Sequence, residues 1–130
     1  MAIISKNIFV VNCDKITFEK SFSRKRNSDI INYHEIRQRL TNNDVFKTPP
    51  SEDIIEFQII KKLNAFRKCR KAEFLFFYID DVNQSFVVNL KTLFGECEFP
   101  VNFHLLVDPT QPLPKFHTEF NSVQKIENAI

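Results

Sequence analysis

Phe74-Leu75-Phe76-Phe77-Tyr78-Ile79, FLFFYI, is the stretch on which the fold turns. It is apolar throughout, as a central strand of a parallel sheet should be when both of its faces are covered. It is far shorter than the ~20 apolar residues needed to span a bilayer. Asp80, Asp81 and Asn83 follow directly, at what would be the carboxyl end of that strand.

Working outward, the preceding segment reads as the clearest helix of the chain. Thr48-Pro49-Pro50-Ser51 breaks the chain, Pro50 or Ser51 starts the helix, and Glu52 and Asp53 favour its first turn. Ile54, Ile55, Phe57, Ile59, Leu63 and Phe66 recur mostly at three- or four-residue intervals, so the spacing predicts a helix over 51–68 with one face on a sheet. Earlier still, residues 8–11 form a β-branched and aromatic first strand, and Asp14 or Thr17 is placed to cap a helix reaching about Arg26. Residues 29–32 predict a second short strand, followed by a helical turn or two with Ile36 and Leu40 on one face. Downstream, a helix is expected over 85–93 and a buried strand over 103–107, after which Pro109, Pro112 and Pro114 lead into an open loop. Strands alternating with helices imply an α/β fold, a parallel sheet with flanking helices and right-handed crossovers, whose ligands bind beyond the carboxyl ends of the strands.

Composition bounds the possibilities. A chain of 130 residues that is 43% hydrophobic and holds 15 Phe suits one domain with a sizeable core. Neither a membrane span nor a signal peptide is expected from the sequence, which points to a cytoplasmic protein. Three cysteines without a paired C-x-x-C spacing argue against a disulfide framework or a zinc site, so Cys13, Cys69 and Cys97 read as reduced thiols. A net charge of +2 does not by itself imply nucleic acid.

Three motifs, taken in order, carry a resemblance. Asn32-Tyr33-His34-Glu35-Ile36-Arg37-Gln38-Arg39-Leu40, then Pro50-Ser51-Glu52 opening a long helix, then Tyr78-Ile79-Asp80-Asp81-Val82-Asn83, resemble the layout of P-loop kinases of the phage polynucleotide kinase type. The likeness covers roughly residues 6–108 in element order, which leaves 109–130 as a C-terminal extension expected to pack on that domain. It implies a P-loop kinase-like fold and a phage origin, and hence the host cytoplasm.

Residue by residue, the resemblance also implies lost chemistry. The family's G-x-x-x-x-G-K-[ST] loop presents backbone N–H groups to phosphate, with Lys supplying charge and the hydroxyl binding magnesium. Here Asn12-Cys13-Asp14-Lys15-Ile16-Thr17 is shorter and contains no glycine, and Asp14 sets a negative charge against any phosphate. Lys15 and Thr17 stand as relics of the kinase Lys and Ser/Thr. His34 stands where the family has its proton-accepting Asp, with Glu35 beside it, and Arg37 matches the substrate-phosphate Arg. Lid arginines have no counterpart, because no Arg follows Arg70.

The expectation is a catalytically inactive, kinase-like binding or regulatory protein that takes no cofactor and no metal and acts through a protein partner. Arg37, Glu35, Asp81 and Asn83 are its candidate binding residues, and Lys15, Thr17, His34 and Asp80 its degenerate catalytic ones. Two alternatives are weighed. One is nucleic-acid 5′-end binding by Arg37 with the basic residues Arg24-Lys25-Arg26, Lys61-Lys62 and Arg67 to Lys71; the other is residual phosphotransfer by His34 and Asp80. Asp80, Asp81 and Asp108 could share a metal, but strand-end acids more commonly cap helices, and His104 and His117 lack partners at metal spacing.

Overall fold

The computed structural model describes residues 5–22, 30–42, 52–78, 84–95 and 97–126. Its elements run β1 (Lys6–Asn12), α1 (Lys15–Phe22), β2 (Ile30–Asn32), α2 (Tyr33–Asn42), α3 (Glu52–Lys68), β3 (Phe74–Tyr78), α4 (Gln84–Leu93), β4 (Val101–Val107), a 3-10 helix (Lys115–Glu119) and β5 (Ser122–Lys125). The five strands form one parallel sheet in the order β2-β3-β1-β4-β5. The expected α/β class and parallel sheet are therefore present in a single domain.

Topology dictates how the layers divide. From β1 the chain passes outward beyond β3 to β2, then returns across the sheet through β3, β4 and β5. With right-handed crossovers the first move leaves α1 on one face and every later move puts its helices on the other. The core separates in the same way. Ile8, Val10, Leu75, Phe77, Phe103 and Leu105 bury against Ile36, Ile55, Leu63, Phe66, Val87, Leu90 and Phe94 of α2, α3, α4 and the turn that follows α4. Val11, Phe76, Tyr78 and Leu106 bury against Phe18 and Phe22 of α1. FLFFYI has the environment its composition implies: Leu75, Phe76, Phe77 and Tyr78 are buried on alternate faces, and only Phe74 at the strand start is exposed. Ile79 lies outside the described residues.

The tail after Asp108 is more ordered than its prolines suggest. Phe120 enters the larger core and Ile126 the smaller, while Asn121 fixes the register of β5. Its backbone N–H donates to the Phe103 carbonyl at 2.7 Å and its Oδ1 accepts from the Phe103 N–H at 2.8 Å. The sequence reading missed this strand because β5 is short and lies at the edge, with one half-exposed alternation in place of an apolar run.

A single charge lies wholly inside. Lys6, at the start of β1, is the one buried polar or charged residue among the described residues. Its Nζ donates to the carbonyls of Phe66 (2.8 Å), Cys69 (2.6 Å) and Ala72 (2.7 Å), and lies 4.5 Å from the centroid of the Phe66 ring. All three ammonium donors are thereby used, one on the last turn of α3 and two on the turn that follows it, where a cation also meets the negative end of the helix dipole. Burial pushes the Lys6 pKa below its ordinary value. Replacing it with Met keeps the stem but removes the donor from three carbonyls, of which Phe66 and Cys69 still accept backbone N–H groups, so Lys6→Met should lower the urea-unfolding free energy by about 2 kcal/mol. A loss under about 1 kcal/mol would mean that water substitutes for the ammonium.

Candidate functional site

β1 leaves the sheet towards the α1 face, whereas the crossovers from its neighbours β3 and β4 lie on the opposite face, so the crevice beyond these carboxyl ends is the place a ligand would occupy. The residues gathered there are Cys13 and Asp14 after β1, Asn32 to Glu35 at the β2–α2 junction, Tyr78 ending β3, and Asp108 after β4. Asp80, Asp81 and Asn83 lie outside the described residues, as do Arg24, Lys25 and Arg26.

Each of the junctions after β1, β2 and β4 is closed by a side chain of its own. Only Cys13 and Asp14 separate β1 from α1. Asp14 Oδ1 accepts the Thr17 N–H at 2.6 Å, and the Asp14 carbonyl accepts the Phe18 N–H at 3.0 Å, so Asp14 is the N-cap of α1. The Thr17 backbone N–H holds the Asp14 carboxyl below its ordinary pKa. Asn32 acts likewise for α2, its Oδ1 accepting the N–H groups of His34 (3.0 Å) and Glu35 (3.3 Å). Asp108 turns inward on its own loop, accepting the Thr110 N–H at 3.0 Å and the Thr110 hydroxyl at 2.8 Å.

The remaining predicted residues are separated. Lys15 faces Glu19 across one helical turn at 3.9 Å, with both side chains largely in water. Glu35 pairs with Arg39 on the exposed side of α2, and Arg37 donates to the Tyr33 hydroxyl while its guanidinium lies 4.9 Å from the Tyr33 ring centroid. His34 is half-buried with its ring 5.6 Å from that of Tyr78. Tyr78 stacks on Phe18 at 4.2 Å and donates its hydroxyl proton to the Cys13 carbonyl at 3.2 Å, which locks α1 down over the end of the sheet. Burial pushes the Cys13 thiol up to about 12, and the charges of Asp14 and Asp108 act in the same direction. It is therefore a protonated, unreactive thiol, despite standing next to a helix N-terminus.

No protein-family model, curated protein or solved structure matches the chain. Among the described residues no three His, Cys, Asp or Glu side chains gather where they could hold a metal ion, and no helix is long and apolar enough to cross a membrane.

A second polar cluster lies on the α1 face of the sheet, and sequence reasoning did not find it. His104 of β4 stands between Asn7 of β1 and Ser122 of β5, its Nε2 2.9 Å from Asn7 Oδ1 and its Nδ1 2.6 Å from Ser122 Oγ. Asn7 Oδ1 accepts, so Nε2 carries the proton and Nδ1 receives the serine hydroxyl proton. The ring also stacks on Phe9 at 4.7 Å. Serine against an imidazole resembles a nucleophile–base pair, yet His104 sits at the middle of β4 and Ser122 at the start of β5, whereas α1, α2 and α4 begin beyond the carboxyl ends of the strands, where their N-termini could stabilise an oxyanion. Register alone assembles it: Phe9 opposes His104 and His104 opposes Ser122. It acts as a cross-strand ladder that tethers the edge strand.

Burial holds the His104 pKa below its ordinary 6.5. The folded state thus binds this proton less readily than the unfolded chain, so stability rises with pH across the window between the lowered value and 6.5 and falls as the solution is acidified through it. Urea unfolding measured between roughly pH 5 and 7 should show this slope, and His104→Gln should flatten it. An unchanged slope in the variant would assign the window to another group.

Proposed function

We propose that the protein is a catalytically inactive, kinase-like binding module that acts through a protein partner. The observation that carries this reading is the Asp14 carboxylate seated on the first turn of α1. A nucleotide's phosphates would need those same backbone donors, and would meet a fixed negative charge already bonded to them. A link of two residues, neither of them glycine, also leaves no length of backbone to wrap a phosphate. His34 then has no phosphoryl transfer to assist, and Lys15 is directed along its own helix to Glu19. The protein-partner half is supported by large apolar side chains left in water on α3: Ile54, Phe57 and Ile60 are 49%, 62% and 40% exposed.

Isothermal titration with magnesium-ATP should give no binding tighter than about millimolar. Micromolar binding abolished by Lys15→Ala would overturn the reading.

Nucleic-acid binding is the second reading, favoured by exposed Arg37 and by the basic end of α3. Against it, Arg37 is held by Tyr33, Arg70 faces Glu98 at 3.3 Å, and Arg67 donates to the Leu93 carbonyl at 3.3 Å. Fluorescence anisotropy with short 5′-hydroxyl and 5′-phosphate oligonucleotides should therefore show weak binding that Arg37→Ala leaves unchanged. Submicromolar affinity at physiological salt, lost in Arg37→Ala and falling steeply as salt rises, would establish the nucleic-acid reading instead.

A further inference from the structure

α3 is apolar on two sides. Ile55, Leu63 and Phe66 bury one side in the core, and among the described residues that core does not take in Phe57 or Ile60 on the other side. Asp53, Phe57, Ile60, Asn64 and Lys68 recur at intervals of three and four residues, so they form one stripe along the helix opposite the core. A groove of about 400 Å³ runs along its second half, lined by Phe57, Ile60, Lys61, Asn64, Ala65 and Lys68.

The charges of this face are sorted by position. Asp53 and Glu56 occupy the first half of α3, and Lys61 and Lys68 the second; all four are exposed. Such an arrangement repels a parallel copy and attracts an antiparallel one. A two-fold axis between Ile60 and Lys61 sets Asp53 of each chain opposite Lys68 of the other and Phe57 opposite Asn64, which drops each phenyl ring into the groove of its neighbour. The same patch serves on both chains, as an isologous dimer requires. Asn64 Oδ1, within the stripe, is a buried acceptor with no hydrogen-bond partner among the described residues.

We infer that the outer face of α3 is a self-association surface and that its occupant is α3 of a second copy of this chain, packed antiparallel. This names the partner for the exposed apolar face and is independent of the carboxyl edge, so a monomeric result would leave the nucleotide titration unaffected. A helix of 17 residues is ~25 Å long, and a single helix pair buries less than a standard ~1,600 Å² interface, so the dimer is reversible with a dissociation constant on the order of micromolar.

Sedimentation velocity over a concentration series tests it. The wild-type chain should pass from monomer to dimer as concentration rises through the micromolar range. Phe57→Glu should remain monomeric throughout, with unchanged circular dichroism and Tm because Phe57 lies outside the core. Asp53→Lys and Lys68→Asp should each weaken the dimer by about tenfold, and combining them should restore it by exchanging the charges. A wild-type chain that stays monomeric to about 100 μM would overturn the proposal. Dimerisation that survives Phe57→Glu, or a double variant weaker than either single one, would do the same.

Discussion

The buried ammonium of Lys6 is the interaction on which the larger layer depends. β1 is the middle strand, paired on both sides, and Lys6 is its first residue. Its three hydrogen bonds end α3 and fix the turn that delivers the chain into β3, the strand beside it. An ion taken out of water is tolerated only when its donors are met, and a helix C-terminus offers unpaired carbonyls together with a favourable dipole. One side chain therefore ties the end of α3 and the turn after it to the start of the middle strand.

Among the described residues the opposite layer is thinner, with the eight-residue α1 and Ile126 over it. Phe18 and Phe22 give α1 its only buried surface, and they need Tyr78 and Phe76 beneath them. That requirement keeps α1 close to the strand ends. A phosphate-binding loop would need the helix to start further out, with glycines bridging the gap; here the gap is two residues wide and Asp14 fills the donors. Tight packing of α1 and the absence of an open cradle are one constraint seen from two sides.

At the described strand ends Asp14, Asn32 and Asp108 are each engaged by their own loop. An apolar stripe with sorted charges is exposed on α3, whereas the aromatic and polar ladder on the α1 face of the sheet is half-buried. The ladder holds β5 in place through the pairing of His104 with Ser122.

The sequence by itself determined the alternation of strands and helices, the parallel sheet and the buried character of FLFFYI. These follow from local apolar runs and periodicities that need no knowledge of neighbours. It also determined that no glycine loop follows β1, and it offered Asp14 as a cap. Tertiary structure alone decided the strand order, and with it the pairing of His104 with Asn7 and Ser122, residues nearly a hundred positions apart in one case. It likewise decided the role of Lys6, since a lysine before a strand looks solvated until a helix end more than sixty residues away folds onto it. The fifth strand was illegible for the same reason: its hydrogen bonds come from β4, and four residues with a half-exposed pattern have too little signal of their own to declare it.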